Sequence, residues 1–177
     1  WAYHKLLEVR ERAYRATGTV TKVNLALSAL PRFAGAGPAG PAGPAKAGHY
    51  VRESFGAPAE VLSGRIHIGP DLDYLERAFD HAKYGECSDE PWLDVTIPSI
   101  LDSTLSGGGH VMSIYAHYTP CRLRSGSWSP MKDEGLKRVL SVLDRFAPGV
   151  GNLVLAAEVI TPPELDSRFG LQRGHLF

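Results

Sequence analysis

Residues 19–27 alternate. Thr21, Val23, Leu25 and Leu27 lie on one side, and Val20, Lys22, Asn24 and Ala26 on the other. A period of two predicts a β-strand with one face on a core, and Pro31 ends it. Residues 64–68 predict a short strand, and Gly69-Pro70-Asp71 then opens a helix. A proline in the first turn lacks an N–H that would be unpaired anyway, and Asp71 and Asp73 suit the positive end of the helix dipole. Leu72, Leu75, Phe79 and Ala82 are the expected inner face of this helix, and Gly85 closes it. Residues 92–97 alternate again, with Leu93, Val95 and Ile97 opposite Trp92, Asp94 and Thr96. In 110–118, Met112, Ile114, Ala116 and Tyr118 stand opposite Val111, Ser113, Tyr115 and His117. So many apolar or aromatic residues on both sides predict a central strand covered on both faces. Ser129-Pro130 starts a helix in which Leu136, Val139, Leu140, Leu143 and Phe146 keep the 3.6-residue period. An apolar strand follows at 153–160, and Thr161-Pro162-Pro163-Glu164 has capping-box spacing for a last helix to Phe169. Helices mixed with loop-connected strands predict an α+β domain built on a mixed sheet with flanking helices.

Two segments stand outside this alternation. Residues 1–16 place Leu6, Leu7, Val9 and Ala13 among charges and predict an amino-terminal amphipathic helix, ahead of a domain spanning 17–177. Residues 35–48 contain three Gly-Pro-Ala triplets, from Gly37, Gly40 and Gly43. A collagen helix needs that period sustained, and Lys46-Ala47-Gly48 breaks it, so a flexible Gly/Pro-rich surface loop is expected.

The chain has 177 residues, enough for one domain that removes roughly 70% of its unfolded surface from water. Nineteen basic residues balance nineteen acidic ones, giving no electrostatic case for nucleic acid as a partner. Two cysteines do not make a disulfide scaffold or a four-cysteine zinc site. The charged amino end lacks the pattern of a secretory signal peptide. The first residue is Trp1 rather than methionine, so the sequence is expected to be a piece of a longer chain.

Candidate chemistry is thin. Gly107-Gly108-Gly109 invites a phosphate-loop reading, but it leads into a strand instead of a helix and is expected to be a turn. The histidines show no metal-ligand spacing, so no metal is expected. No Gly-x-Ser-x-Gly elbow marks a nucleophile; Ser99 and Ser103 lie in a turn-rich loop. Cys121 lies near Arg122 and Arg124, which would lower its pKa, whereas burial would make it inert. Tyr115, His117 and Tyr118 can be core residues or can line an apolar substrate chamber.

Three stretches resemble phytoene desaturase-like, phytoene dehydrogenase-related flavoproteins: Thr21-Lys22-Val23-Asn24-Leu25-Ala26-Leu27 with Leu30-Pro31, Ile97 to Leu105 followed by Gly109-His110-Val111-Met112-Ser113, and Ile160 to Leu171. They run in family order, and the pattern is most similar to the branch of pyridine nucleotide-disulfide oxidoreductase domain-containing proteins. Gly107-Gly108 and Arg173-Gly174-His175 depart from the family pattern, and the Gly-Pro-Ala insert has no counterpart in it.

The resemblance implies a two-domain FAD-dependent oxidoreductase in which a mixed-sheet domain covers the flavin and shapes the substrate chamber. This sequence matches that substrate-side domain and lacks the dinucleotide fingerprint. It is therefore expected to be an inactive fragment that binds no FAD alone and lines the chamber with Tyr115, His117 and Tyr118. The implied partners are the missing FAD-binding half of the same protein and an apolar small-molecule substrate. Self-association is expected where the missing half leaves apolar surface uncovered. The resemblance favours a cytoplasmic location and also allows a mitochondrial one. The alternatives are a non-catalytic binding or interaction domain, and a structural chain that assembles through the Gly-Pro-Ala segment.

Overall fold

The computed structural model of the chain describes residues 19–33 and 62–176. The expected amino-terminal helix and the Gly/Pro-rich loop lie outside the described residues. The class is α+β. Five strands, β1 (Thr19–Leu27), β2 (Ile66–Ile68), β3 (Trp92–Thr96), β4 (His110–Thr119) and β5 (Val154–Ile160), form one sheet in the order β2-β3-β4-β1-β5. The helices among the described residues are α1 (Leu72–Lys83), α2 (Trp128–Phe146) and α3 (Pro162–Phe169). All four pairings among the described residues are antiparallel, so there the sheet is not mixed in strand direction as the sequence suggests. The helical connections α1 and α2 misled that reading. α1 joins neighbours that still run antiparallel, and α2 carries the chain from β4 over β1 to the far edge.

The strand alternation sorts side chains as the sequence predicts. Val23, Leu25, Leu27, Leu93, Val95, Ile97, Met112, Ile114 and Ala116 bury one face of the sheet against Val139, Val142 and Leu143 of α2. β4 is central, as expected, but its second face is half-buried instead of fully covered. On that second face Val20 and Ile160 pack with Leu165 of α3, and Leu171 and Leu176 complete the cluster beside Tyr115. The Thr161–Glu164 capping box fixes the start of α3, with the Thr161 N–H and hydroxyl each donating to Glu164 Oε2 at 2.9 Å.

One expectation about faces is corrected. In α1 the inner residues are Tyr74, Ala78 and Ala82, whereas Leu72 is 78% exposed and Phe79 is largely exposed. Tyr74 turns inward because its hydroxyl reaches the Pro91 carbonyl at 3.1 Å, and the two alanines let the helix approach closely. β5 is apolar yet lies at the sheet edge, with Leu155, Ala156, Ala157 and Glu158 exposed.

Candidate functional site

The half-buried strip of the second sheet face gathers the polar and aromatic residues that alternate with the core. Strand register does the gathering: Lys22 and Asp94 both pair with Tyr115, Trp92 pairs with His117, and His67 pairs with Asp94. Their side chains therefore share one face across four strands. His67 stacks on Trp92 at 5.5 Å and 10°, and Trp92 lies 4.5 Å from His117. Gly69 makes room for the indole, since a Cβ there would fall 2.2 Å from Trp92 Cδ1.

Tyr115 and His117, two of the expected chamber residues, lie on this strip with ring centroids 6.5 Å apart. Tyr118 joins them by a local irregularity. Val20 pairs with His117 and Thr19 with Thr119, so Tyr118 is the extra residue of a β-bulge. Its ring lies 5.8 Å from His117 and 6.5 Å from Trp92, and it packs edge-on against Phe79 at 5.3 Å.

Two charged groups that the sequence reading did not single out complete the strip. Lys22 Nζ donates to Ser113 Oγ and sits 4.0 Å above the Tyr115 ring. Burial lowers its pKa, against the opposing pull of Asp94. Asp94 is only 7% exposed; its Oδ2 accepts from Arg65 at 3.1 Å. Its Oδ1 is buried without a hydrogen-bond partner among the described residues, and His67 Nδ1 stands 3.9 Å away. An unpaired buried acceptor costs about 1–3 kcal/mol. Burial also pushes the His117 pKa down to about 4; Asp94 opposes that shift, while His67 and Arg65 add to it. His117 is therefore neutral near pH 7 and belongs to an aromatic wall. The strip can stack flat unsaturated groups. The signal for Asp94 and Lys22 was in the sequence, as charged residues at alternate positions of otherwise apolar strands.

The remaining candidates are structural. Ser99 Oγ accepts from the Val111 N–H at 3.0 Å and meets His110 Nδ1 at 3.3 Å, tying the loop to β4. Cys87 is pushed up to about 11 by burial, which outweighs Arg138. Burial also raises Cys121 against Arg173 and Arg122, so its cations do not make it a thiolate. The glycine run is a turn into β4: a Cβ on Gly109 would lie 2.4 Å from the Leu27 carbonyl oxygen, so this residue serves the approach of two strands.

No protein-family model matches the chain. It is 36% identical over 162 residues to mouse pyridine nucleotide-disulfide oxidoreductase domain-containing protein 2, and 35% identical to the rat protein of that name. The chain is homologous to one segment of these proteins. The match takes in 89% of the chain and 26% of each relative, so the chain spans about a quarter of the length of the curated relatives it matches. The chain is thus similar to a segment of proteins named for a pyridine nucleotide-disulfide oxidoreductase domain.

Proposed function

We propose that the chain is the substrate-side domain of an FAD-dependent oxidoreductase similar to phytoene dehydrogenase-like proteins. In this reading the second face of its sheet forms one wall of a chamber for an apolar, unsaturated substrate. The observation that carries the reading is the aromatic wall of Trp92, Tyr115, His117 and Tyr118, bordered by Lys22 and Asp94, on a sheet face that the described residues leave half-covered. Similarity to an oxidoreductase-named segment supports the chemistry class. The wall binds, orients and desolvates the substrate.

The described residues do not form the glycine-rich cradle that holds the dinucleotide part of FAD. That group needs a glycine-rich turn running from a strand into an open helix start. Gly107–Gly109 runs into β4 instead. The start of α1 is closed by the Asp71 carboxylate, which accepts from the Tyr74 N–H at 2.7 Å, and the start of α3 by its capping box. The turn before α2, Ser125-Gly126-Ser127, carries one glycine. The flavin of this reading is held by the rest of a longer protein, which is the partner this domain requires.

Titration of the purified chain with a conjugated polyene, read by quenching of tryptophan fluorescence, tests the wall. Saturable quenching is expected, with Trp92→Phe reducing its amplitude and His117→Glu weakening affinity about tenfold by placing a charge in the wall. Quenching that never saturates, or that ignores both substitutions, refutes the reading, as does stoichiometric yellow FAD on the chain after gel filtration.

A further inference from the structure

A second concavity lies where the end of α1 meets the turn after β4 and the carboxyl-terminal residues. It has a volume of about 440 Å³, and its seven lining residues include Lys83, Gly85, Cys121, Arg122 and Arg173. Three of the seven are cations, and none of the three forms an ion pair among the described residues. Elsewhere on the surface the pattern differs: Arg124 is paired with Glu86 at 3.2 Å, Arg168 with Glu158 at 3.1 Å, and Arg138 with Asp89 at 3.1 Å. The nearby carboxylate is Asp166, and its Oδ2 is engaged by the Arg173 backbone N–H at 3.1 Å.

The walls of this concavity are fixed by backbone contacts. Gly85 has φ +79°, and a Cβ there would fall 2.9 Å from the Arg124 N and 3.2 Å from the Arg122 O. The Gly85 carbonyl accepts from the Arg124 N–H at 2.8 Å, which locks the helix end onto the turn carrying Arg122. On the opposite side a Cβ on Gly174 would lie 2.6 Å from the Pro162 carbonyl oxygen, so the residue after Arg173 is pressed onto the start of α3. Arg173 itself is held at φ 55°, ψ 22°, the sole non-glycine residue with positive φ among the described residues. Glycine or asparagine would adopt that conformation with less strain. An arginine kept there, with its charge beside a cavity and no carboxylate to meet it, breaks a local rule in the way functional positions do.

We propose that this concavity is a binding site for a diphosphate group. The guanidinium fork matches phosphoryl oxygens two at a time, and Lys83 adds a point charge. Three cations spread around one cavity suit an anion with more than one charged centre better than a single carboxylate. The diphosphate can be free or part of a nucleotide. The proposal stands on these residues and does not depend on the reading of the aromatic wall.

Isothermal titration calorimetry of the full chain with inorganic diphosphate, and separately with ADP, tests it. Saturable binding that weakens with added salt is expected. Arg122→Gln with Arg173→Asn is expected to lower affinity by about tenfold or more, the loss of charged hydrogen bonds. Asparagine relieves the backbone at 173, so a melting temperature at or above that of the parent shows that the fold survives. Bound diphosphate should also slow alkylation of Cys121 by N-ethylmaleimide in the parent and not in the double variant. ADP binding more tightly than diphosphate assigns a nucleotide, and equal affinities assign the diphosphate group alone. Absence of saturable binding, unchanged affinity in the double variant, or Cys121 alkylation unaffected by saturating diphosphate overturns the proposal.

Discussion

Acidifying the chain should cost it stability through His117. Its ordinary pKa is 6.5, and in the fold burial brings it down to about 4. Between those values the unfolded chain holds the proton and the folded chain does not, so stability falls as pH falls. Above 6.5 both states are neutral and the contribution is constant. A fully buried group would lose about 1.4 kcal/mol per pH unit across the window. The ring is only partly covered, and solvent screening reduces the whole effect to about 1–2 kcal/mol. The assay is urea unfolding of the parent and of His117→Phe between about pH 7.5 and about pH 4.5. Phenylalanine keeps a ring against Trp92 and cannot titrate, while Asp94, His67 and Arg65 remain in both proteins. The parent should therefore lose that extra 1–2 kcal/mol on acidification. Parallel pH curves would refute the reasoning. So would an imidazole NMR titration with its midpoint at or above the ordinary value, because the wall would then be wet.

Gly109→Ala should destabilise by about 2–3 kcal/mol in urea unfolding, because its Cβ meets the rigid Leu27 carbonyl, whereas Gly107→Ala, with no atom within 4 Å, should stay within about 0.5 kcal/mol of the parent. Equal effects at the two positions would contradict the strand-approach explanation. Leu143→Ala should lower stability by about 2–5 kcal/mol, since the side chain is fully buried between α2 and the sheet, and a smaller loss would mean that the two layers do not pack as described.

The parts of this structure that were legible in the sequence are those set by a single periodicity. β1, β3 and β4 declare their core faces by strict alternation, and α2 declares its own by the recurrence from Leu136 to Phe146. The Thr161–Glu164 box is a local contact between neighbours and was equally readable. The inner face of α1 was not, because side-chain size is a poor guide where a tyrosine hydroxyl finds a distant carbonyl and two alanines set the spacing. Nor was strand direction, since a helix between two strands fits either sense. Tyr115 and His117 could be placed on one face, but their meeting with Lys22, Asp94 and Trp92 depends on register across three strands, which no local pattern encodes. The bulge at Tyr118 and the grouping of Lys83 with Arg122 and Arg173 are likewise products of tertiary pairing.

At the other end of the sheet, Leu27 pairs with Val154 and Ala26 with Ala156, so Leu155 is the supernumerary residue of a second bulge, on β5. Its side chain is 70% exposed, and a few residues on Glu158 meets Arg168 at 3.1 Å. A straight outer ribbon rich in leucine, valine and alanine would be a template for zipping molecules together into fibrils. The kink and the flanking ion pair interrupt that template, so this greasy margin can remain at the rim of the domain without recruiting its neighbours.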